Sequence, residues 1–257
     1  MILVIDAGNT NITIGVYQND DLLFTSRLAT DRTATADRIA IDIMDLFELN
    51  SVKAETFSGA AVSSVVPELN NALMNAVTKL TGHEPVFVGP GIKTGLNIRV
   101  DDPAGLGADL VSVAVAAKEK YALPCLIADL GTATKFIALG ASGEFLGCTI
   151  APGVAISLNA LANGASQLTT IRLKAPDHVI GTNTVDSMTA GLVYGTIDSL
   201  DGTFDRMEQE LKLPIQTFVA TGGLCDICKD CRHDMVLDKN LVLDGLKLIY
   251  DRNPSIQ

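Results

Sequence analysis

The stretch IDAGNTNITIG, residues 5–15, decides the fold. The apolar run from Ile2 to Ile5 reads as a strand buried on both faces. It ends on a carboxylate, Asp6, and then on the small and polar residues Ala7, Gly8, Asn9 and Thr10. Nearly the same phrase, IADLGTATKFI, returns at 127–137, with Asp129, Gly131 and Thr132 in the matching places. A buried strand that twice ends in an acid and a glycine turn calls for a chemical reason. Glycine lets the chain bend sharply and approach a ligand closely. The N–H groups that follow, with the hydroxyls of Thr10 and Thr132, suit phosphate oxygens. An aspartate at the strand end suits Mg²⁺, directly or through water. Two such turns facing each other would clamp a triphosphate and its metal, which is the positioning and charge neutralisation that phosphoryl transfer needs. The plainer reading of either turn is an ordinary hairpin, with a positive-φ glycine and an aspartate accepting turn N–H bonds.

Outward from the first turn, Ile12, Ile14 and Val16 alternate with other residues as a second strand, and Leu22–Leu28 reads as a third. Residues 36–49 carry a helical pattern through Ile39, Ile43, Leu46 and Phe47. GAAVSSVVP (59–67) reads as a strand closed by Pro67, 68–81 as a helix, and VFVG (86–89) as a short strand. From Gly107 to Tyr121 the spacing of Leu110, Val113, Ala114, Ala117 and Tyr121 predicts a helix with one apolar face. Then CLIAD (125–129), TKFIAL (134–139) and EFLGCTI (144–150) repeat the opening three-strand pattern. A long helix is expected over 184–212, a strand over 215–220 and a last helix over 241–252. The repetition implies an internal duplication into two α/β halves, drawn here as 1–115 and 116–257, with a nucleotide cleft between them.

Composition bounds the rest. The chain has 257 residues, 47% hydrophobic and 19% charged, enough for one large domain or two ordinary ones with a real core. A net charge of −11 with no basic stripe argues against nucleic acid as a partner. No apolar run approaches the length of a membrane span, and residues 1–5 lack the flanks of a signal peptide. Five cysteines in no disulfide framework point to a reducing cytoplasm. No Walker-type Gly-x4-Gly-Lys-Ser/Thr is present, and no Gly-x-Gly-x-x-Gly follows the first strand.

The two turns resemble those of the actin, hexokinase and heat-shock chaperone ATPase superfamily, whose lobes are actin-like, that is, ribonuclease H-like. Within it the chain most resembles the type III pantothenate kinase family. The resemblance runs nearly end to end, through DAGNTNITIG (6–15), SSVVP (63–67), PAGLGADL (103–110), DLGTAT (129–134) and G-x-x-I-x-P-G (147–153). It continues through IGTNTVDSMTAGLVYG (180–195), ATGG (220–223) and LVLDGLKLIYDRN (241–253). It implies an ATP-dependent kinase that phosphorylates the primary hydroxyl of pantothenate, the first step of coenzyme A synthesis. It implies ATP on Asp6, Ala7, Gly8, Asn9, Thr10, Asn11, Ile12, Thr13 and Thr132, and Mg²⁺ near Asp6. Asp129 would hold a monovalent cation, K⁺ or NH₄⁺. Asp109 would be the general base, with Gly107, Ala108, Asp109, Leu110 and Thr184 around the acceptor. Thr184 lies at a subunit interface in the family, so a homodimer is implied. Locally, Asp109 is also a favourable first-turn helix residue, and Asn183-Thr184 also reads as a helix cap.

The chain departs from the family pattern at the acceptor side. Leu110 stands where the family has a substrate-holding arginine, and Val100 near its usual tyrosine. Cys148 replaces the second of a paired glycine, and Lys135-Phe136-Ile137 follows DLGTAT in place of threonine and a nearby acid. Lys135 either approaches a phosphate in place of the potassium charge or points into solvent, and solvent is the ordinary expectation for a lysine. Two other functions stay open: a non-catalytic nucleotide-binding regulatory or accessory paralogue that lost pantothenate, and a kinase for another small alcohol or sugar. Cys225, Cys228, Cys231 and His233 lie within nine residues and either ligate a metal or pack inward, with packing expected.

Overall fold

The computed structural model describes residues 1–164 and 176–254. Ile2–Ala7 form β1, and its apolar side chains are buried because it lies in the middle of a sheet. β2 (Asn11–Gln18) returns antiparallel to it, with Ile2 opposite Tyr17 and Asp6 opposite Thr13. β3 (Asp21–Ala29) adds antiparallel to β2. β4 (Gly59–Ser64) pairs parallel with the other edge of β1, and the two-residue β5 (Val86–Phe87) pairs parallel with β4. The order is therefore β3-β2-β1-β4-β5.

The second sheet repeats that plan. β6 (Cys125–Leu130), β7 (Ala133–Leu139) and β8 (Phe145–Pro152) form the antiparallel meander. β9 (Thr217–Thr221) and β10 (Met235–Leu237) add in parallel on the other side, for the order β10-β9-β6-β7-β8. Each sheet is three antiparallel strands followed by two parallel ones, and each first strand is central. The fold is α/β, built on a duplicated five-stranded mixed sheet.

Helices cover the sheets where the sequence supplies an apolar stripe and a cap. α1 (Ala36–Leu49) begins at Thr35, whose hydroxyl accepts from the Arg38 N–H. It buries Ile39, Ala40, Ile43 and Phe47. α2 (Asn70–Thr81) ends at Gly82 in the left-handed conformation that glycine adopts without cost. Both pack on Leu3, Ile5, Ile12, Ile14 and Val62. The strand expected over 59–67 stops at Ser64, because Pro67 lacks an N–H and opens a short 3₁₀ turn, Pro67–Leu69.

The chain forms two compact units. The first comprises residues 1–96, 101–119 and 241–257, and the second 97–100 and 120–240. In the first, α3 (Ala108–Lys120, its last residue in the second unit) and α6 (Leu241–Asp251) meet. A Cβ on Gly245 would lie 1.8 Å from the Ser112 carbonyl oxygen, so only glycine permits that approach. On α6, Leu243 fills the space over Gly15, and Tyr250 covers Gly59 and donates to the Ser58 carbonyl at 3.0 Å. The one-faced pattern expected for α3 is not what forms: residues 110–117 are all buried. Small residues (Ser112, Ala114, Ala116, Ala117) let close neighbours cover its remaining sides.

In the second unit, α5 (Thr184–Leu211) buries Leu200 and Phe204 on Leu126, Ala128 and Phe136. Asn183 caps it by accepting from the Asp186 N–H at 2.9 Å. Two elements had no reading in the sequence, α4 (Val154–Gly164) and β10. The first follows a Pro-Gly and lacks a polar cap, and the second is only three residues long.

Candidate active site

The first turn is carried on the β1–β2 hairpin. Asp6 is half-buried at the strand end, and Asn9, Thr10 and Asn11 are exposed at the tip. The Gly8 N–H closes the turn on the Asn11 carbonyl at 3.0 Å. The chain leaving β3 then braces it. Thr30 donates its N–H to the Thr10 carbonyl at 3.0 Å and its hydroxyl to the Gly8 carbonyl at 2.6 Å. Arg32 donates to Asn9 Oδ1 at 2.7 Å. Two carbonyls of the turn are thus engaged by the scaffold, which fixes its shape. Of the residues expected there, Ala7 and Ile12 are buried and hold the hairpin together, while Thr13 stands across from Asp6.

The second turn, on the β6–β7 hairpin, is braced by backbone. The Gly131 N–H donates to the Ala133 carbonyl at 3.1 Å. A Cβ on Gly153 would lie 2.2 Å from the Thr132 carbonyl oxygen and 2.6 Å from that of Gly131. A Cβ on Gly222, whose φ is +88°, would lie 2.7 Å from both Asp129 Oδ1 and the Leu130 carbonyl oxygen. These glycines let the β8–α4 junction and the end of β9 close on the turn and on the Asp129 carboxylate. Both fall in quoted motifs (G-x-x-I-x-P-G and ATGG), but their bracing role had no local signal. Thr30 and Arg32 had none either.

Lys135 corrects an expectation. It does not point into solvent. Its ammonium lies 2.7 Å from Asp129 Oδ2, with side-chain exposures of 16% and 13% for the pair. The register places the two residues directly opposite each other across the hairpin. A resident monovalent cation is therefore a poor fit to Asp129, because that oxygen already holds a positive charge of the same size. Mg²⁺ fits Asp6 better. A carboxylate with a hydroxyl opposite suits a hard ion that takes most of its ligands from phosphates and water. Among the described residues, no three or more His, Cys, Asp or Glu form a group that holds a metal.

Asp109 is half-buried in the first turn of α3, and Leu110 donates its N–H to Asp109 Oδ1 at 2.8 Å. A Cβ on Gly107 would stand 2.6 Å from the same oxygen, so the glycine before the helix makes room for the carboxylate. Leu110 is buried, as is Ala108, so the position expected to hold an arginine carries an inward-facing alkyl group. Thr184 is the exposed first residue of α5, with Asn183 as its cap.

The cysteine cluster packs inward. Cys225 and Cys228 lie in a 3₁₀ turn, Cys225–Asp230, in the core under Leu224 and Met235. Burial raises the Cys225 thiol's pKa, and a hydrogen bond with Cys231 together with burial raises that of Cys228. His233 stacks on Phe218 at 4.3 Å between ring centroids and meets Asp205 at 3.1 Å.

Solved structures share this architecture. A conserved Campylobacter jejuni protein assigned as a Baf family transcriptional activator matches with a TM-score of 0.60 at 19% identity, over 98% of this chain and 99% of that one. Component A of (R)-2-hydroxyglutaryl-CoA dehydratase from Acidaminococcus fermentans matches with a TM-score of 0.57 at 14% identity, over 97% and 96%. The activator of 2-hydroxyisocaproyl-CoA dehydratase from Clostridium difficile, solved with bound ADPNP, matches with a TM-score of 0.56 at 10% identity, over 99% and 96%. At these identities the likeness establishes the two-lobed, actin-like ATPase fold. The family model of type III pantothenate kinases matches residues 2–206, the span that holds both turns, Asp109 and most of α5. The duplicated sheets, the paired acid–glycine turns and that match together place the chain in the type III pantothenate kinase family, with the equipment of an ATP-dependent phosphotransferase.

Proposed function

We propose that the chain transfers the γ-phosphoryl group of ATP to the primary hydroxyl of pantothenate, as a cytoplasmic homodimer of two-lobed subunits. The observation that carries this reading is the pairing of turns: each duplicated sheet ends its central strand on Asp-x-Gly. Asp6 would hold Mg²⁺, which neutralises charge on the phosphates when bound. The Gly8 and Gly131 N–H groups close their own hairpins, so the triphosphate would be oriented by the residues that follow them, Asn9 and Thr10 in the first turn and Thr132 in the second, through N–H groups and hydroxyls. Asp109 would accept the proton of the attacking alcohol, with Gly107 leaving it space. Exposed Val179, Ile180 and Val185 beside Thr184 support a subunit contact there. Among the described residues, no helix is long and apolar enough to cross a membrane.

ADP release coupled to pantothenate tests the reading. Turnover is expected in the native chain. Asp109→Asn should lower it by about 10²–10⁴-fold while leaving stabilisation by nucleotide intact. The buried Leu110 favours a second reading, a nucleotide-binding accessory protein. Stabilisation by ATP with no turnover on pantothenate or any other alcohol would establish that one. Turnover on a sugar instead would move the acceptor class.

A further inference from the structure

We infer that Lys135 is this chain's built-in monovalent cation, so that nucleotide binding needs neither K⁺ nor NH₄⁺. The inference rests on the kinase reading above and concerns how that site neutralises charge. An alkylammonium carries the same unit charge as NH₄⁺ or K⁺ and binds a carboxylate by the same N–H donation. Here it is tethered to β7 and set opposite Asp129 by the strand register, 2.7 Å from Oδ2. The other carboxylate oxygen, Oδ1, is closed in by the backbone of Gly222, where even a methyl group would stand at 2.7 Å. The carboxylate is thus held between a fixed ammonium and a fixed backbone, directly below the Gly131-Thr132 turn.

A purely structural ion pair is the competing explanation. Pairs this buried are poor stabilisers, since the cost of removing both charges from water offsets their attraction. A well-packed apolar pair would serve a hairpin at least as well. In the topologically equivalent hairpin the residue directly opposite the aspartate, Asp6, is Thr13, which carries no charge. A lysine specifically beneath the second glycine turn is the arrangement expected if the charge serves the phosphates above it.

The test uses chloride salts of K⁺, NH₄⁺ and the bulky N-methylglucammonium at matched ionic strength. Thermal unfolding of the ligand-free chain and calorimetric binding of a non-hydrolysable ATP analogue are the readouts. The native chain should melt at the same temperature in all three salts and bind the analogue within about twofold. Lys135→Ala should melt lower, and K⁺ or NH₄⁺ but not N-methylglucammonium should restore it. Its analogue affinity should fall by about tenfold or more in N-methylglucammonium and recover in K⁺. A structural role alone would lower stability without any such choice among cations. A native chain whose analogue affinity drops about tenfold without K⁺ would overturn the inference, even if the variant fails to fold. So would a Lys135→Ala protein indifferent to the cation. Absence of analogue binding in every salt would instead condemn the kinase reading, while the cation response of the ligand-free variant would still decide the role of Lys135.

Discussion

The two hairpins are built on one plan and finished differently. In the first, β1 and β2 set Asp6 opposite Thr13, a neutral hydroxyl, and the turn is braced by side chains, through Thr30 and Arg32. In the second, β6 and β7 set Asp129 opposite Lys135, and the turn is braced by the close approach of Gly153 and Gly222. The first pair suits an external divalent ion and the second carries its own charge. The frame is repeated, and the difference at one cross-strand position, Thr13 against Lys135, changes the electrostatics.

Three substitutions probe the contrast. Gly153→Ala should have the largest effect, because its Cβ would meet two backbone oxygens, neither of which can rotate away. A loss of about 1–3 kcal/mol is expected, or roughly 2–4 °C in Tm for each kcal/mol, together with loss of nucleotide stabilisation. A native-like melting curve would show that the second turn is not braced this way. Thr30→Val removes the hydroxyl bonded to the Gly8 carbonyl and should cost about 1 kcal/mol, with weaker nucleotide binding. If binding is unchanged, the first turn is held by its own hairpin alone. Arg32→Ala should be nearest to neutral. Its bond to Asn9 and its 3.5 Å contact with Glu68 are exposed, so a change within about 0.5 kcal/mol is expected in chemical denaturation. A larger loss would show that Arg32 braces the turn more strongly than an exposed bond should.

Much of the frame was legible because its signals are local. The run Ile2–Ile5 with the Gly8 turn, the spacing of Ile39, Ile43 and Phe47, and the cap at Asn183 each declare an element within a few residues. The packing of Cys225 and Cys228 was the expected outcome, since cysteine is among the most buried residue types. What escaped were relations across distance. Periodicity gives α3 one apolar face but does not show how many neighbours a helix will have. α4 begins without a polar cap and so carries no local start signal. A lone lysine carries no sign of which residue it will oppose, so Lys135 reads from sequence as solvent-facing.

By itself, the sequence determined the paired acid–glycine turns, the strand and helix order apart from α4 and β10, the duplication and the family. These depend on short-range patterns of apolar spacing and on glycine's conformational freedom. Only the tertiary structure decided that α6, the last helix, returns to the first sheet. It also decided that Gly153 and Gly222 clasp the second turn, and that Asp129 meets Lys135 before any added ion. Those outcomes follow from strand register and close backbone approach, which arise when segments far apart in the chain are brought into contact.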